Sequence, residues 1–356
     1  MVTHGLATHV RRLLPGISAL TALVAAVSLS LTPAAGAQEK TLNVYSARHY
    51  QTDEQLYGEF SKRTGVKINR IELGDEPLLE RLRAEGDKSP ADVVLMVDAT
   101  RLFRAQDQGL FQPIESKLLT ERIPAEFRAS DNTWFGFSNR ARVIVYNRVM
   151  VDPKDVQTYQ LLADPRNKGK VCTRSGSHPY NLSLFGAMIE HMGPAKTEQW
   201  LRGIVDNQAR APKGGDTDQI KAVASGECGV ALTNTYYWVR LLRSDKSADK
   251  EVVSKVGMVW PNQESTGVHM NLAGGAVARN APHKAIAVEF LEYLASDQAQ
   301  AYFANGNNEW PVVKGVKTGN EALESLGPFK ADKVATDKMA AQSGEAQKLL
   351  DKVGYK

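Results

Sequence analysis

Residues 234–240 of the chain read Asn-Thr-Tyr-Tyr-Trp-Val-Arg, with two adjacent phenols at the centre of the stretch. The apolar run at 228–232 just upstream predicts a short buried strand. Asn and Thr favour helix starts, so the stretch predicts a helix that begins at Tyr236 and Tyr237. Arg240 lies within one helical turn of both tyrosines. Open α/β folds bind ligands at such strand-to-helix turns, although two rings packed on a sheet would give the same pattern.

The same construction recurs at two other predicted strand-to-helix turns. The strand predicted at 41–46 leads into Tyr50, with His49 beside it. The strand predicted at 171–174 leads into Tyr180, at the start of another predicted helix. If these strands share one fold, their turns meet at one edge of the sheet. The candidate site then consists of one imidazole and four phenols, those of His49, Tyr50, Tyr180, Tyr236 and Tyr237.

Several phenols in one place favour a hard, highly charged cation. A phenol titrates at about pH 10, so a group of phenols ionises at neutral pH only when a strong cation displaces the protons. Zinc prefers Cys and His ligands and calcium prefers carboxylates, and neither kind is clustered in the sequence. The residues therefore predict Fe³⁺ as the bound ion. Arg140 and Arg240 would balance phenolate charge from outside the ligand shell.

The amino terminus has the composition of a secretory signal. Arg11 and Arg12 precede a mostly apolar stretch, and small residues precede Gln38. We predict a signal peptide at 1–37 that is removed on export to the periplasm, with a retained anchor as the alternative. No other segment approaches the roughly 18 apolar residues that span a bilayer. The net charge of +4 gives no reason to expect a nucleic-acid partner.

Strands and helices alternate along the first third of the chain. Strands predicted at 41–46, 66–71 and 92–97 are separated by helices, the first of which starts with a predicted capping box of Thr52 and Gln55. This alternation predicts an α/β fold with a mainly parallel sheet.

The middle of the chain predicts a connection between two lobes. Two extended runs, 134–138 and 143–147, bracket Arg140 and Arg142, and a second crossing is predicted at 260–263. By default, both arginine side chains are expected to lie in solvent. If the crossing is a hinge, one of them would instead face the cleft. The resulting domain prediction is a signal peptide at 1–37, a first lobe at 38–138 continued by 264–313, a second lobe at 139–263, and C-terminal helices at 314–356 on the second lobe.

Cys172 and Cys228 are the only cysteines in the chain. Each lies eight residues before a tyrosine of the candidate site on a predicted strand, so neighbouring strands would bring the two sulfurs together. An exported protein permits such a bond, and we predict a disulfide. The alternative makes Cys172 a nucleophile with His178 as its base.

Five segments of the chain carry a family resemblance. They are Tyr-Ser-Ala-Arg-His-Tyr at 45–50, Ser-Gly-Ser-His-Pro-Tyr-Asn at 175–181, Thr-Asn-Thr-Tyr-Tyr at 233–237, Gly-Val-His-Met-Asn-Leu-Ala-Gly-Gly at 267–275 and Asn-Glu-Trp-Pro-Val at 308–312. In these segments the chain resembles the bacterial periplasmic ferric-iron-binding proteins that serve ABC transporters. That resemblance implies the two-lobed, type 2 periplasmic-binding-protein fold, with the ligand in the cleft between the lobes.

The resemblance also implies which residues bind iron. Tyr180, Tyr236 and Tyr237 match ligands of the family, and Tyr50 matches a branch that uses four tyrosines. The position of His49 binds iron in some members only. Members that lack the fourth tyrosine bind a synergistic anion such as carbonate. Here, carbonate or water would serve only to complete the coordination.

The expected function is binding and delivery without catalysis. The resemblance implies a periplasmic protein that captures Fe³⁺ and passes it to an inner-membrane ABC permease, and we expect it to be a monomer. One alternative is a receptor for a small organic ligand such as a polyamine or thiamine, with the tyrosines stacking on it. The other is an exported hydrolase, which no Gly-x-Ser-x-Gly, His-Glu-x-x-His or paired-carboxylate motif supports.

Overall fold

The computed structural model describes residues 40–48, 50 and 52–356 of the chain. The predicted signal peptide at 1–37 and the candidate ligand His49 lie outside these residues. Among the helices that are described, none has the length and apolar character that a bilayer crossing requires.

The strands of the described chain alternate with helices, as expected for an α/β fold. The strands are β1 (Thr41–Ser46), β2 (Lys67–Glu72), β3 (Val93–Met96), β4 (Trp134–Asn147), β5 (Val171–Cys172), β6 (Val230–Asn234), β7 (Val256–Val259), β8 (Met270–Val277) and β9 (Trp310–Pro311). The strands predicted at 41–46, 66–71 and 92–97 are confirmed to within one residue at each end.

The helices are α1 (Asp53–Thr64), α2 (Asp75–Glu85), α3 (Ala99–Asp107), α4 (Lys117–Arg122), α5 (Pro179–Met192), α6 (Pro194–Asp206), α7 (Asp216–Ser225), α8 (Thr235–Leu242), α9 (Ser247–Lys255), α10 (Lys284–Leu294), α11 (Asp297–Asn307), α12 (Glu321–Glu324), α13 (Thr336–Ala341) and α14 (Ser343–Val353). The capping box predicted for α1 is wrong. The side chain of Thr52 caps no helical N–H and instead contacts the side chain of Asn307.

The strands form a mixed sheet in the order β2-β1-β3-β8-β4-β6-β5, with β7 and β9 also paired to β4. The β1–β2, β1–β3 and β5–β6 pairs are parallel. Every pair that involves β4 or β8 is antiparallel. The prediction of a mainly parallel sheet was therefore wrong, because the two strands at the centre run against their neighbours.

A single long strand, β4, carries the chain from one part of the sheet to the other. Its segment from Trp134 to Ala141 pairs with β8, and its segment from Arg142 to Tyr146 pairs with β6. The two extended runs predicted here are thus one continuous strand, buried along its whole length. The change of pairing partner occurs between Ala141 and Arg142.

Tyr159 joins β4 to the segment that returns the chain. The Tyr159 hydroxyl donates a hydrogen bond to the backbone carbonyl of Arg142 at 2.5 Å. The same oxygen accepts one from the backbone N–H of His269 at 3.0 Å, immediately before β8. Tyr159 is almost fully buried, so these bonds are shielded from water. The Tyr159 hydroxyl therefore links β4 at Arg142 to the segment before β8 at His269.

Separate hydrophobic cores lie on the two sides of the crossing. One contains residues from β1, α1, β3 and α10, among them Leu42, Phe60, Val93 and Phe290. Another contains residues from β4, α5, α6 and β6, among them Ile144, Phe185, Trp200 and Leu232. A chain with two such cores on one connecting strand is organised as two lobes.

The C-terminal helices pack across this division. Helix α13 contacts both α3 and α5, whereas α14 contacts α5 and α6. Gly186 of α5 permits the approach of α13, because a Cβ at this position would lie 2.5 Å from the carbonyl oxygen of Met339. The segment after residue 313 therefore touches helices that flank both parts of the sheet.

Strands β5 and β6 are parallel neighbours, with Cys172 opposite Ala231. Cys172 and Cys228 are joined in a disulfide with their Cα atoms 5.9 Å apart. Both cysteines are fully buried. The alternative assignment of Cys172 as a nucleophile fails in this structure, because its sulfur is bonded to another sulfur.

Candidate metal centre

Two helix starts present tyrosines to the same place. Tyr180 is the second residue of α5, after Pro179, and its backbone N–H donates to Nδ1 of the capping residue His178 at 3.3 Å. Tyr236 is the second residue of α8, and this helix directly follows β6. Each helix start fixes the backbone of its tyrosine, so the direction of the ring depends on few rotatable bonds.

Tyr50 enters the same place from the turn between β1 and α1. Its backbone carbonyl accepts a hydrogen bond from the N–H of Asp53 at the start of α1, at 2.9 Å. The carboxylate of Asp53 in turn holds Arg48 through contacts of 2.7 and 3.2 Å. The Arg48 guanidinium carbon lies 4.8 Å from the centre of the Tyr50 ring. This buried ion pair supports the ring from the side of α1.

The structure brings all four predicted tyrosines together. The hydroxyl oxygens of Tyr180 and Tyr236 are 3.0 Å apart. The ring of Tyr236 lies 5.9 Å from that of Tyr50, edge to face, and 4.2 Å from that of Tyr237. Tyr50, Tyr180 and Tyr236 are buried, whereas Tyr237 is half-buried. The rings do pack on one another. Packing of the rings alone would not require two hydroxyl oxygens to meet, so the contact between Tyr180 and Tyr236 indicates a polar site.

Arg140 is buried beside this cluster. Its guanidinium carbon lies 5.4 Å from the centre of the Tyr180 ring, and its closest carboxylate oxygen belongs to Glu309, at 4.0 Å. All three nitrogens of its guanidinium lack a hydrogen-bond partner among the described residues. The default expectation of solvent exposure was wrong for Arg140 and for Arg142, because β4 is buried on both faces. A buried cation with unused donors favours negative charge next to it.

Arg240 lies on the other side of the cluster. It is exposed, and its guanidinium carbon is 5.5 Å from the centre of the Tyr237 ring. This matches the one-turn spacing of the two residues on α8. An exposed cation in this position is screened by water, so its electrostatic effect on the cluster is weaker than that of Arg140.

Glu309 is a buried carboxylate of the site that sequence reasoning did not single out. It accepts hydrogen bonds from the hydroxyl of Ser138 at 2.8 Å and from the hydroxyl of Tyr50 at 3.5 Å. Its sequence segment, 308–312, is one of those that carry the family resemblance, but a single Glu has no spacing that predicts a site. Only the fold brings it next to a tyrosine 259 residues away.

Burial controls the acid–base state of the cluster. Desolvation raises the pKa of Tyr50 and of Tyr236 well above the usual value for a phenol, and it raises the pKa of Tyr180 as well. The charge of Glu309 further raises the pKa of Tyr50, whereas Arg140 acts in the opposite direction on all three. These phenols are neutral at pH 7 until a cation replaces their protons.

The donor set of the cluster distinguishes between metals. Among residues 40–48, 50 and 52–356, no group of three or more His, Cys, Asp and Glu side chains is arranged to hold a metal ion. Among these residues the possible metal ligands that do cluster are the phenol oxygens. Such a set suits a hard trivalent cation better than zinc or calcium.

Comparison with known proteins adds independent information. Residues 55–335 match the family described as bacterial extracellular solute-binding protein. The chain is 46% identical over 342 residues to Iron uptake protein A2 from Synechocystis sp., covering 96% of each chain.

Solved structures with the same fold include two from other bacteria. One, from Trichodesmium, is described as being in complex with iron and citrate ligands. It is 49% identical, covers 89% of this chain and 100% of its own, and superposes with a TM-score of 0.83. Another, the ferric binding protein from Campylobacter jejuni, is 36% identical, covers 88% of this chain and 100% of its own, and superposes with a TM-score of 0.85. The two-lobed α/β fold is therefore shared with these proteins.

Proposed function

The chain belongs to the family of bacterial extracellular solute-binding proteins, and we propose that it captures ferric iron with its tyrosine cluster. The observation that carries this proposal is the 3.0 Å separation of the Tyr180 and Tyr236 hydroxyls inside a buried group of phenols. Relatives named for iron uptake and ferric iron binding support the same cargo. The protein acts as a carrier and not as an enzyme.

The proposed ligands are the phenolate oxygens of Tyr50, Tyr180, Tyr236 and Tyr237, together with the imidazole of His49. Fe³⁺ displaces the phenolic protons, because a trivalent cation stabilises oxygen anions far more than a proton at neutral pH does. Carbonate or water completes the coordination where a position remains open.

Two arginines balance the charge of the coordinated phenolates. Arg140 does so from within the protein, where its unused donors and low-dielectric surroundings make its charge effective. Arg240 does so from the solvent side, over the ring of Tyr237. The buried guanidinium makes the larger contribution because water screens the exposed one.

We assign the cluster to the cleft between two lobes. The first lobe comprises 38–138 and 264–313, and the second comprises 139–263. The segment 314–356 is assigned to the second lobe through α14, which packs on α5 and α6, although α13 also contacts α3 of the first lobe. The pairing partner of β4 changes between Ala141 and Arg142, three residues after the proposed boundary, and this change supports a division of the chain within β4. In this assignment Tyr50 belongs to the first lobe and the other three tyrosines to the second.

The protein works in the periplasm and delivers iron to an ABC permease of the inner membrane. Family membership and relatives named as periplasmic binding proteins support this location. A monomer is sufficient for this role, because a single chain supplies both sides of the cleft. The predicted signal peptide would direct export.

Titration of metal-free protein with Fe³⁺, followed by visible absorption, tests the proposal. Coordination by tyrosinate gives a charge-transfer band in the visible region, whereas a polyamine or thiamine gives none. The band should appear at one equivalent of iron and be lost in the variant that carries both Tyr236→Phe and Tyr237→Phe. Tyr293→Phe is the matched control, because it removes a phenol buried in the core around Phe60 and should leave the band unchanged. Wild-type protein without a visible band would contradict the proposal.

A further inference from the structure

A fully buried carboxylate, Asp216, lies behind Tyr180 and joins three segments of the chain. Its Oδ2 accepts hydrogen bonds from the guanidinium of Arg142 at 2.5 Å and from the backbone N–H of Asn234 at 2.7 Å. Its Oδ1 accepts one from the guanidinium of Arg174 at 3.2 Å. Asp216 is the first residue of α7, where the helix dipole favours a negative charge.

Each of these partners lies close in sequence or in space to a tyrosine of the site. Arg174 is in the loop between β5 and α5, the helix that begins with Pro179 and Tyr180. Asn234 is the residue before α8, which contains Tyr236. Arg142 also donates to the side-chain oxygen of Asn181 at 2.9 Å, the residue after Tyr180. One carboxylate thus ties together the two loops that carry the converging hydroxyls.

Arg174 reaches the ring of Tyr180 itself. Its guanidinium carbon lies 5.0 Å from the ring centre, closer than that of Arg140 at 5.4 Å or that of Arg142 at 5.9 Å. Arginine stacks on aromatic rings through its planar, charged guanidinium. Three guanidinium carbons therefore lie within 5.9 Å of the centre of the Tyr180 ring.

The charges around Asp216 do not cancel. Two guanidinium groups, which stay protonated at any physiological pH, contact one carboxylate. The surplus is positive, and it lies beside the ring that would carry a negative oxygen in the metal-bound state. Such a surplus stabilises a coordinated phenolate more strongly than it stabilises a neutral phenol.

We propose that Arg174, held by Asp216, is a positioning residue for Tyr180 in the metal centre. It keeps the Tyr180 ring in the orientation that brings its hydroxyl to that of Tyr236, and its charge offsets the charge of the bound phenolate. This inference rests on the proposed binding of iron. Sequence patterns alone do not indicate it, since Arg174 lies in none of the ligand positions.

The test compares five variants of the mature protein. Arg174→Gln removes the charge at a side chain that is 15% exposed, so water can replace part of its contacts. Arg174→Lys keeps the positive charge but replaces the planar guanidinium, with its several N–H donors, by a single ammonium group. Arg166→Gln is the matched control, because it removes an equal charge from an arginine whose ion pairs within the described part of the chain are with Asp155 and Asp164. Tyr180→Phe, alone and combined with Arg174→Gln, completes a double-mutant cycle.

Arg174→Gln should weaken Fe³⁺ binding by about 10- to 100-fold, as measured by competition with a chelator. It should also shift the charge-transfer band to longer wavelength. The electrons of a phenolate lie higher in energy when a neighbouring cation is removed, so less light energy moves them to the iron. Arg174→Lys should give a smaller loss of affinity and a smaller shift. Arg166→Gln should leave both quantities unchanged.

In the Tyr180→Phe background, Arg174→Gln should cause no additional loss of affinity and no additional shift. An equal loss in both backgrounds would overturn the proposal, because Arg174 would then act through the fold and not through Tyr180. Wild-type affinity and band in Arg174→Gln would also overturn it. If Arg174→Gln fails to fold, Arg174→Lys decides the question. Wild-type iron affinity in Arg174→Lys overturns the positioning role, and a weaker affinity supports it. Absence of the band in the wild-type protein would instead contradict the proposed function.

Discussion

The hydroxyl oxygens of Tyr180 and Tyr236 lie 3.0 Å apart although 56 residues separate them in the chain. Both oxygens are at the starts of helices, which follow the parallel neighbours β5 and β6. The same two strands are linked by the disulfide between Cys172 and Cys228. The separation of the two oxygens is thus set by strand pairing, a covalent bond and two helix starts.

The first prediction concerns the ligands. Tyr236→Phe and Tyr237→Phe should each weaken Fe³⁺ binding by at least about 100-fold, because each removes one anionic oxygen and keeps the ring that packs in the cluster. Tyr50→Phe should weaken binding less, because Glu309 and Arg48 keep its surroundings polar. Chelator competition measures the affinities, and circular dichroism checks that the fold is intact. Unchanged iron affinity in the double variant at positions 236 and 237 would rule out this site.

The second prediction is that iron binding weakens as the pH falls. Burial raises the pKa of Tyr50, Tyr180 and Tyr236, so these phenols carry their protons throughout the range from pH 5 to pH 8. Each phenol that binds iron must release one proton, and acid therefore opposes binding. The apparent affinity should fall by roughly tenfold per pH unit for every phenol that coordinates. A pH-independent affinity over this range would show that the ligands are not phenols.

The third prediction concerns the disulfide. Replacing Cys172 and Cys228 by Ser should lower the free energy of unfolding by about 4 kcal/mol, because the unfolded chain regains the freedom of a long closed loop. Urea unfolding of metal-free protein measures this change. Protein isolated without reductant should resist alkylation at both cysteines, and mass spectrometry that finds two modified thiols would contradict the bond.

The fourth prediction is that iron closes the cleft. An ion held by ligands from both sides has contacts in the closed form that the open form lacks, so it favours closure. Small-angle scattering should give a smaller radius of gyration with Fe³⁺ than without it, and the difference should disappear in acid. The double variant His49→Ala, Tyr50→Phe should bind residual iron yet compact less. Full compaction of that variant would show that the turn before α1 supplies no ligand.

The fifth prediction concerns His269, which is buried beside the crossing. Burial, with the nearby charge of Arg142, lowers the pKa of His269 to about 3. In the unfolded chain this imidazole titrates at about pH 6.5. Between these values the unfolded state holds a proton that the folded state lacks, so the free energy of unfolding falls as the pH falls, by up to about 1.4 kcal/mol per unit. His269→Gln should flatten this slope in urea unfolding of metal-free protein measured between pH 7 and pH 5, and an unchanged slope would contradict it.

The tyrosine turns could be predicted from the sequence because their signals are local. A short apolar run followed by a helix-starting residue specifies a strand-to-helix turn within a dozen residues, and Tyr180 and Tyr236 both stand in such turns. The fold then needs only to pair β5 with β6 to bring them together.

The surroundings of the tyrosines could not be predicted in the same way. Arginines are usually at the surface, so Arg140 and Arg142 were expected in solvent, and only the position of β4 between its neighbours buries them. Glu309 and Asp216 likewise gain their roles from contacts between distant segments. Thr52 shows the same effect at a helix start, since a contact with Asn307 replaces the expected cap.

The hydroxyl of Tyr159 is bonded to the backbone of both Arg142 and His269, so a rotation of the two proposed lobes would turn about this point. When one rigid body turns against another about such a point, nearby atoms sweep short arcs and distant atoms sweep long ones. Such a rotation would widen the outer rim of the proposed cleft while the backbone segments at Arg142 and His269 keep their contacts with Tyr159.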